Sequence, residues 1–232
     1  MTSAPASTPS SSALESSASL GNVKATRDDW LDLALSVLAR DGVGGVTVLA
    51  LSERLGVSRS SFYWYFRNRD HLLDELLMRW EGQTTRSIVR QSGAPANSIN
   101  EAVCNVFRCW IDTELFSPRL DSAVREWARR SEKARNALDR SDSERTAAIR
   151  KMFERHGYPP DDACARARVL YYMQIGYYAL DIREPMEARL KLAPHYLETF
   201  TGVKPREEDL AAFRAFAMRR KAKDLAAVEG AP

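Results

Sequence analysis

The stretch Thr47 to Arg69, TVLALSERLGVSRSSFYWYFRNR, constrains this chain more than any other part of it. Gly56 separates two short helical patterns, and glycine takes a left-handed turn between helices at no steric cost. Thr47 precedes the first pattern and Ser58 the second, and hydroxyl residues make good N-caps. The second predicted helix, from about Ser58 to Tyr65, crowds hydroxyl, basic and aromatic side chains together. Two helices around a tight turn, over about 47–66, are the layout of a helix-turn-helix. In that motif one helix enters the major groove of DNA and its neighbours grip phosphate.

Charge supports this reading by its placement. The whole chain carries a formal net charge of only +3. From Arg54 to Arg69 the charged residues are Arg54, Arg59, Arg67 and Arg69, with no acid between them, so the window is +4. From Lys24 to Arg90 ten basic residues face nine acidic ones. Positive charge is therefore focused on the third predicted helix and its flanks, where neutralising phosphates would supply non-specific affinity. Ser58, Arg59, Ser60 and Ser61 fall on the first turn, where side chains of these types reach base edges or phosphate oxygens. The N–H groups of that turn lack helical partners and favour an anion. Tyr63 and Trp64 are expected to face DNA. Phe62, Tyr65 and Phe66 fall on the opposite side and are expected to pack inward. For Arg54 and Arg67, solvated surface charge and phosphate contact both remain open.

The run resembles the N-terminal DNA-binding domain of the TetR-type transcriptional regulators. That pattern has a Thr-led second helix, a Gly-Val-Ser turn, a hydroxyl-aromatic third helix, Tyr-Phe, then a lysine and an acid opening helix four. Here those positions are Thr47, Gly56-Val57-Ser58, Ser61-Phe62-Tyr63, Tyr65-Phe66, Arg69 and Asp70. The likeness covers about Lys24 to Trp80. Ser60 stands where many members have glycine, and Arg69 replaces the usual lysine while keeping its charge. The resemblance implies that Thr47, Ser58, Arg59, Ser61, Tyr63, Trp64 and Arg69 contact DNA. It also implies a homodimer, a C-terminal ligand-binding domain and, usually, repression of a nearby operon.

Outside that stretch the chain has helical period nearly throughout, and no strand pattern or internal repeat is visible. An all-α fold of about nine helices is expected. Residues 1–22 hold eight serines and no aromatic residue, which predicts a disordered tail. Residues 23–80 form the expected DNA-binding domain, 81–227 a helical effector-binding and dimerisation domain, and 228–232 a flexible end. Helix four is expected to continue to about Gln91. Glu132 to His156 reads as one helix, or as two with a new start at Ser141 and Glu144. A helix from Asp161 to Arg183, a short turn around Ala193 to Phe200, and a last helix opened by Pro205 complete the chain.

The helices at 161–183 and 205–225 are the expected homodimer interface, because Val169 to Leu180 is apolar nearly all round. In the last helix Phe213, Phe216 and Met218 share the expected contact. An effector pocket needs apolar walls and a few convergent polar groups. The candidates are Phe107, Trp110, Trp127, Tyr171, Met173, Gln174 and Tyr178, with plain core as the alternative for each.

Other chemistries lack support. His71, His156 and His195 have no metal-ligand spacing. No GxSxG, Walker or GxGxxG pattern occurs, so no catalytic residue, metal or cofactor is expected. Cys104, Cys109 and Cys164 fit buried reduced thiols of a cytoplasmic protein, with redox sensing as the alternative. No stretch approaches the ~20 apolar residues of a membrane span. The expected partners are a double-stranded operator, a small-molecule effector and a second copy of the chain. The expectation is a ligand-responsive repressor. An effector-independent regulator or activator is the alternative, and a helical carrier or enzyme a further one.

Overall fold

The computed structural model describes residues 25–229, with side chains through Lys223; the serine-rich 1–22 segment and residues 230–232 lie outside them. The described residues form eleven α-helices and one π-helical turn, with no strand. None of these helices is long and apolar enough to cross a membrane.

The N-terminal helices follow their sequence signals closely. Helix α1 (Arg27–Gly45) opens with a complete capping box. The Asp29 N–H donates to Thr26 Oγ1 (3.2 Å), and Asp29 Oδ2 accepts from the Thr26 N–H (2.7 Å). These bonds hold the Asp29 carboxyl below the usual carboxylate range. Trp30, Ala34, Val37 and Leu38 form its fully buried stripe. Gly42, at φ +72°, breaks its helical geometry, and the chain coils on to Gly45. Helix α2 (Val48–Leu55) is capped by Thr47 and ended by Gly56 at φ +65°. Helix α3 (Arg59–Phe62) has only four residues. From Tyr63 to Tyr65 the chain continues as a tight turn, with N–H groups bonding three residues back. The Ser58 hydroxyl makes no cap, pairing with Ser60 Oγ instead (2.8 Å). Two serines in so short a helix compete for its backbone, which favours early termination.

Helix α4 (Arg69–Trp80) is capped by Asn68, whose Oδ1 accepts from the His71 N–H (2.9 Å). It does not run unbroken to Gln91. A π turn, Glu81–Thr85, precedes α5 (Arg86–Ser92). The Thr84 hydroxyl donates back to the Trp80 carbonyl (2.7 Å). Such back-bonding inserts into the backbone ladder and locally reshapes a helix.

In the second half, α6 (Ile99–Ile111) is capped by Ser98, but Glu101 reaches the Asn97 N–H and leaves the box incomplete. Helix α7 (Pro118–Ala128) starts with Ser117 as cap and proline in its first turn. Helix α8 (Glu132–Arg155) is continuous, so 132–156 is one helix and Ser141 is a buried interior position. Helix α9 (Pro160–Ala179) ends before Arg183. Helix α10 (Met186–Thr201) is a full helix of 16 residues where only a turn was expected. Pro194 lies inside it, and a proline there reads as a break in sequence. Helix α11 (Glu207–Glu229) closes the fold, so the backbone is helical through two residues of the expected flexible end. Helices α5 and α10 raise the count above nine.

Two cores share these helices. The first joins α1 to α4 with Leu120, Val124 and Trp127 of α7 and with Ala134, Ala137 and Leu138 of α8. The second joins α5, α6, the second half of α8, α9, α10 and α11. The boundary expected at residue 80 is therefore crossed by packing, because α7 completes the N-terminal core.

Between the cores sits Arg145, which is fully buried. It donates to Asp121 Oδ1 (3.0 Å), to the Tyr171 hydroxyl (3.0 Å), and to the hydroxyls of Thr84 (2.7 Å) and Thr85 (3.0 Å). Its guanidinium lies 5.0 Å from the centre of the Trp80 ring and 5.4 Å from that of Phe116. Trp80 Nε1 donates to the same Asp121 oxygen (3.2 Å), and Arg125 clasps Asp121 and Asp142 from the rim. Burial opposes the charge on Arg145, but the charge and hydrogen bonds of Asp121 and Tyr171 together outweigh it and raise the guanidinium pKa. Removing one member of a buried pair strands the other. Asp121→Asn is therefore expected to lower the unfolding free energy by about 3 kcal/mol in urea melts, and a loss within about 0.5 kcal/mol, the scale of ordinary surface changes, would contradict this role.

Candidate nucleic-acid interface and effector cavity

Tertiary packing decides which face of α3 is free. Phe62 and Phe66 are essentially fully buried, and their ring centres are 5.1 Å apart. Phe62 meets Trp30 of α1 edge-on at 5.3 Å. With these two rings anchored, Tyr63 and Trp64 turn outward and are 60% and 67% exposed. The predicted division of the aromatics is present, with Tyr65 half-buried against the core. Ser58, Arg59 and Ser60 are exposed beside Tyr63, and Ser61 is half-buried. The Ser61 hydroxyl donates to the Ser58 carbonyl (2.7 Å), which tightens the turn.

The four arginines behind the +4 window play different parts. Arg54 pairs with Asp41 of α1 (3.1 Å). Arg40 and Arg54 together hold the Asp41 carboxyl down at about 2. Arg69 is half-buried; Nε donates to the Val46 carbonyl (2.6 Å) and Nη2 to the Val43 carbonyl (2.7 Å). Those carbonyls lie at the loosened end of α1, so Arg69 ties α4 to it. Arg59 and Arg67 are exposed, and no salt bridge among the described residues engages either. Thr47 is half-buried, and its hydroxyl accepts from the Ala50 N–H (3.2 Å) as an N-cap. Ser58, Arg59, Ser60, Tyr63 and Trp64 thus share one exposed surface, whereas Thr47 and Arg69 hold the elements beneath it.

The effector candidates separate in space. Phe107 and Trp110 of α6 and Met173 and Gln174 of α9 converge on a cavity of about 60 Å³. The other three lie elsewhere, and each is a correction with a physical cause. Trp127 packs into the N-terminal core and borders the same cleft as Tyr178. Tyr171 spends its hydroxyl on Asp142 (2.7 Å) within the Arg145 network. Tyr178 stacks on Phe116 at 5.8 Å and borders a separate cleft of about 740 Å³ between α1, α7 and the end of α9. Sequence reasoning missed the wall supplied by α10, namely Met186, Arg189, Leu190, Ala193 and Tyr196. The spacing of Met186, Leu190 and Ala193 carried that signal. Phe213, expected at a subunit interface, is buried in its own core and also lines this cavity.

The remaining chemistry is sparse. Burial pushes the Cys104 and Cys109 thiols up to about 12, so neither carries appreciable thiolate at neutral pH. Cys164 is half-buried. Among the described residues no group of three His, Cys, Asp or Glu side chains could hold a metal ion.

Residues 31–76 match the family model for bacterial regulatory proteins of the tetR family. Among curated relatives, the class A tetracycline repressor protein from transposon 1721 of Escherichia coli is 51% identical over 43 residues, 18% of this chain and 20% of that protein. The class C tetracycline repressor of Escherichia coli is 42% identical over 53 residues, 23% of this chain and 24% of that protein. The chain thus spans about a fifth to a quarter of the length of the curated relatives it matches. The whole fold matches solved regulators at low identity. The ketosteroid transcriptional regulator KstR2 of Mycobacterium tuberculosis gives a TM-score of 0.58 at 19% identity, covering 81% of this chain and 98% of that one. The regulator FadR of Bacillus subtilis, solved with stearoyl-CoA, gives 0.56 at 15%, covering 76% and 98%.

The two kinds of arginine predict opposite behaviour. Arg69→Ala is expected to destabilise the fold by about 2 kcal/mol in urea melts, the scale of hydrogen bonds made by a charged group. Arg59→Ala should leave the unfolding free energy within about 0.5 kcal/mol of the parent.

Proposed function

We propose that this chain, whose N-terminal domain belongs to the tetR family of bacterial regulatory proteins, binds an operator as a homodimer and represses transcription from it. The observation that carries the reading is the anchored α3, which presents Arg59, Tyr63 and Trp64 to solvent on a domain of that family. Arg59 and the serines read base edges or phosphate oxygens. Tyr63 and Trp64 pack on the sugar-phosphate backbone, and Arg67 adds charge at the flank. Thr47 and Arg69 act mainly by holding α2 and α4 in place, with Thr47 near enough to the surface to touch phosphate.

A homodimer is supported by apolar surface left on the expected helices. Val169 and Tyr172 of α9 and Met218 of α11 are each about half exposed. Residues three apart on a helix share a face, so Val169 and Tyr172 form one patch. A dimer would set two α3 helices in successive major grooves, ~34–36 Å apart on a palindromic site.

The cavity between α6, α9, α10 and α11 is the proposed effector site. A ligand that widens it would shift α9, and Tyr171 of α9 reaches the π turn below α4 through Arg145. DNA affinity falls when the two α3 helices no longer match groove spacing, and by linkage DNA lowers ligand affinity by the same factor. One observation favours a second reading, an effector-independent regulator. At about 60 Å³ the cavity is far below the ~300 Å³ at which ligand sites usually begin.

Operator binding measured on DNA flanking the chain's own gene tests the proposal. Arg59→Ala and Tyr63→Ala are each expected to weaken binding by tenfold or more, about 1.4 kcal/mol, while remaining folded dimers. Parent affinity in both would overturn the contact assignment. Dissociation by no small molecule in a screen of apolar compounds would favour the second reading.

A further inference from the structure

The same cavity carries a statement about the chemistry of its occupant, which rests on the effector reading above. Its walls are apolar and largely aromatic, with Phe107, Phe213 and Tyr196 among them. Two of its lining residues, Trp110 and Gln174, are each only 4% exposed. The indole Nε1 of Trp110 and the amide Nε2 of Gln174 are buried without a hydrogen-bond partner. The Tyr178 hydroxyl donates to the Trp110 carbonyl (3.3 Å) and lies close enough to the Gln174 side chain to draw one of its amide N–H groups, which leaves the second N–H of that amide unmatched. An indole N–H can only donate. The lining carboxylate, Glu184, already accepts from the Tyr177 hydroxyl (3.0 Å). Arg189, a further donor in the wall, stacks over the Tyr177 ring at 5.0 Å. Buried polar groups in folded proteins are nearly always paired, and those that are not call for an explanation.

We propose that the cavity takes an apolar molecule of one or two rings whose end carries an acceptor oxygen, received by Trp110 Nε1–H and by an N–H of the Gln174 amide. The space must open for it, since a single benzene ring occupies an engineered cavity of about 150 Å³. Met173 and Met186 are the walls that give way. Methionine is unbranched and reshapes a site by rotation about its side-chain bonds. The acceptor is a neutral carbonyl if the indole and amide receive it alone, and a carboxylate if Arg189 swings in from Tyr177.

The test uses full-length protein carrying 15N-labelled indoles and three probes of one shape, 2-acetylnaphthalene, 2-naphthoate and 2-ethylnaphthalene. The Trp110 resonance, one of five indole signals, is identified by its loss in Trp110→Phe. If that variant does not fold, through-space contacts to the neighbouring Phe107 ring identify it. The acetyl or carboxylate probe should move the Trp110 indole proton downfield and bind at least ~10-fold more tightly than the ethyl probe, since a buried donor left unmet costs at least that much. Gln174→Leu should narrow the difference while leaving ethyl-probe binding intact. Tighter binding of the acetyl probe marks a neutral carbonyl ligand, and tighter binding of naphthoate a carboxylate. Equal binding of the ethyl probe, an unmoved Trp110 resonance at saturation, or no binding by any of the three would overturn the proposal. Operator affinity recorded on the same samples separates the two readings. A bound acetyl probe with unchanged DNA affinity would overturn the effector role and leave the acceptor chemistry standing.

Discussion

Arg145 holds a full charge where there is no water, and that constraint organises the rest of the molecule. A buried guanidinium is tolerated only if its donors are matched and an opposite charge faces it. Here the partners come from separate places: Thr84 and Thr85 on the π turn, Asp121 on α7 and Tyr171 on α9. Trp80, the last residue of α4, contributes both a ring face to Arg145 and an N–H to Asp121. The π turn is what brings two adjacent threonine hydroxyls to the guanidinium. A continuous α-helix from Arg69 to Ser92 would aim them in different directions, because successive residues differ by about 100°. The end of α4 is thereby fixed against α7, α8 and α9 at one point.

That point lies where the two cores meet. Because α7 completes the N-terminal core through Leu120, Val124 and Trp127, the N-terminal half is not a bead on a tether. A shift of α9 would therefore be felt at α4 through the Tyr171–Arg145 contact and at α1 through α7. The same packing governs the exposed face of α3. Two buried rings, Phe62 and Phe66, settle the orientation of a four-residue helix that could not hold itself. Charge is sorted by the same neighbours, with Arg54 drawn to Asp41 and Arg69 to the backbone of α1, leaving Arg59 and Arg67 for an anionic partner.

Much of this was legible in sequence where the signal is local. The cap at Thr47, the turn at Gly56 and the inward and outward aromatics of α3 all depend on a few neighbouring residues. What was not legible depends on distant partners. Nothing near Arg69 announces that carbonyls more than twenty positions earlier will claim its donors. The π turn looks like ordinary helix until Arg145 gives Thr84 and Thr85 a reason to turn together. Trp127, Tyr171 and Tyr178 have the right types for a ligand wall, but Tyr171 is absorbed by the Arg145 network while Trp127 and Tyr178 border a different cleft, between α1, α7 and α9. Helix α10 was expected only as a turn around Ala193 to Phe200; packing of Ala193, Leu197 and Phe200 carries it as a full helix through Pro194.

The central claim is that a twofold dimer reads a palindrome through paired α3 helices. Selecting bound duplexes from a random pool with the full-length protein, then sequencing them, tests it most directly. The account predicts an inverted repeat whose half-sites are centred about one helical turn, ~10–10.5 base pairs, apart or a multiple of it. Recovery of single half-sites, or of duplexes with no shared sequence, would contradict it.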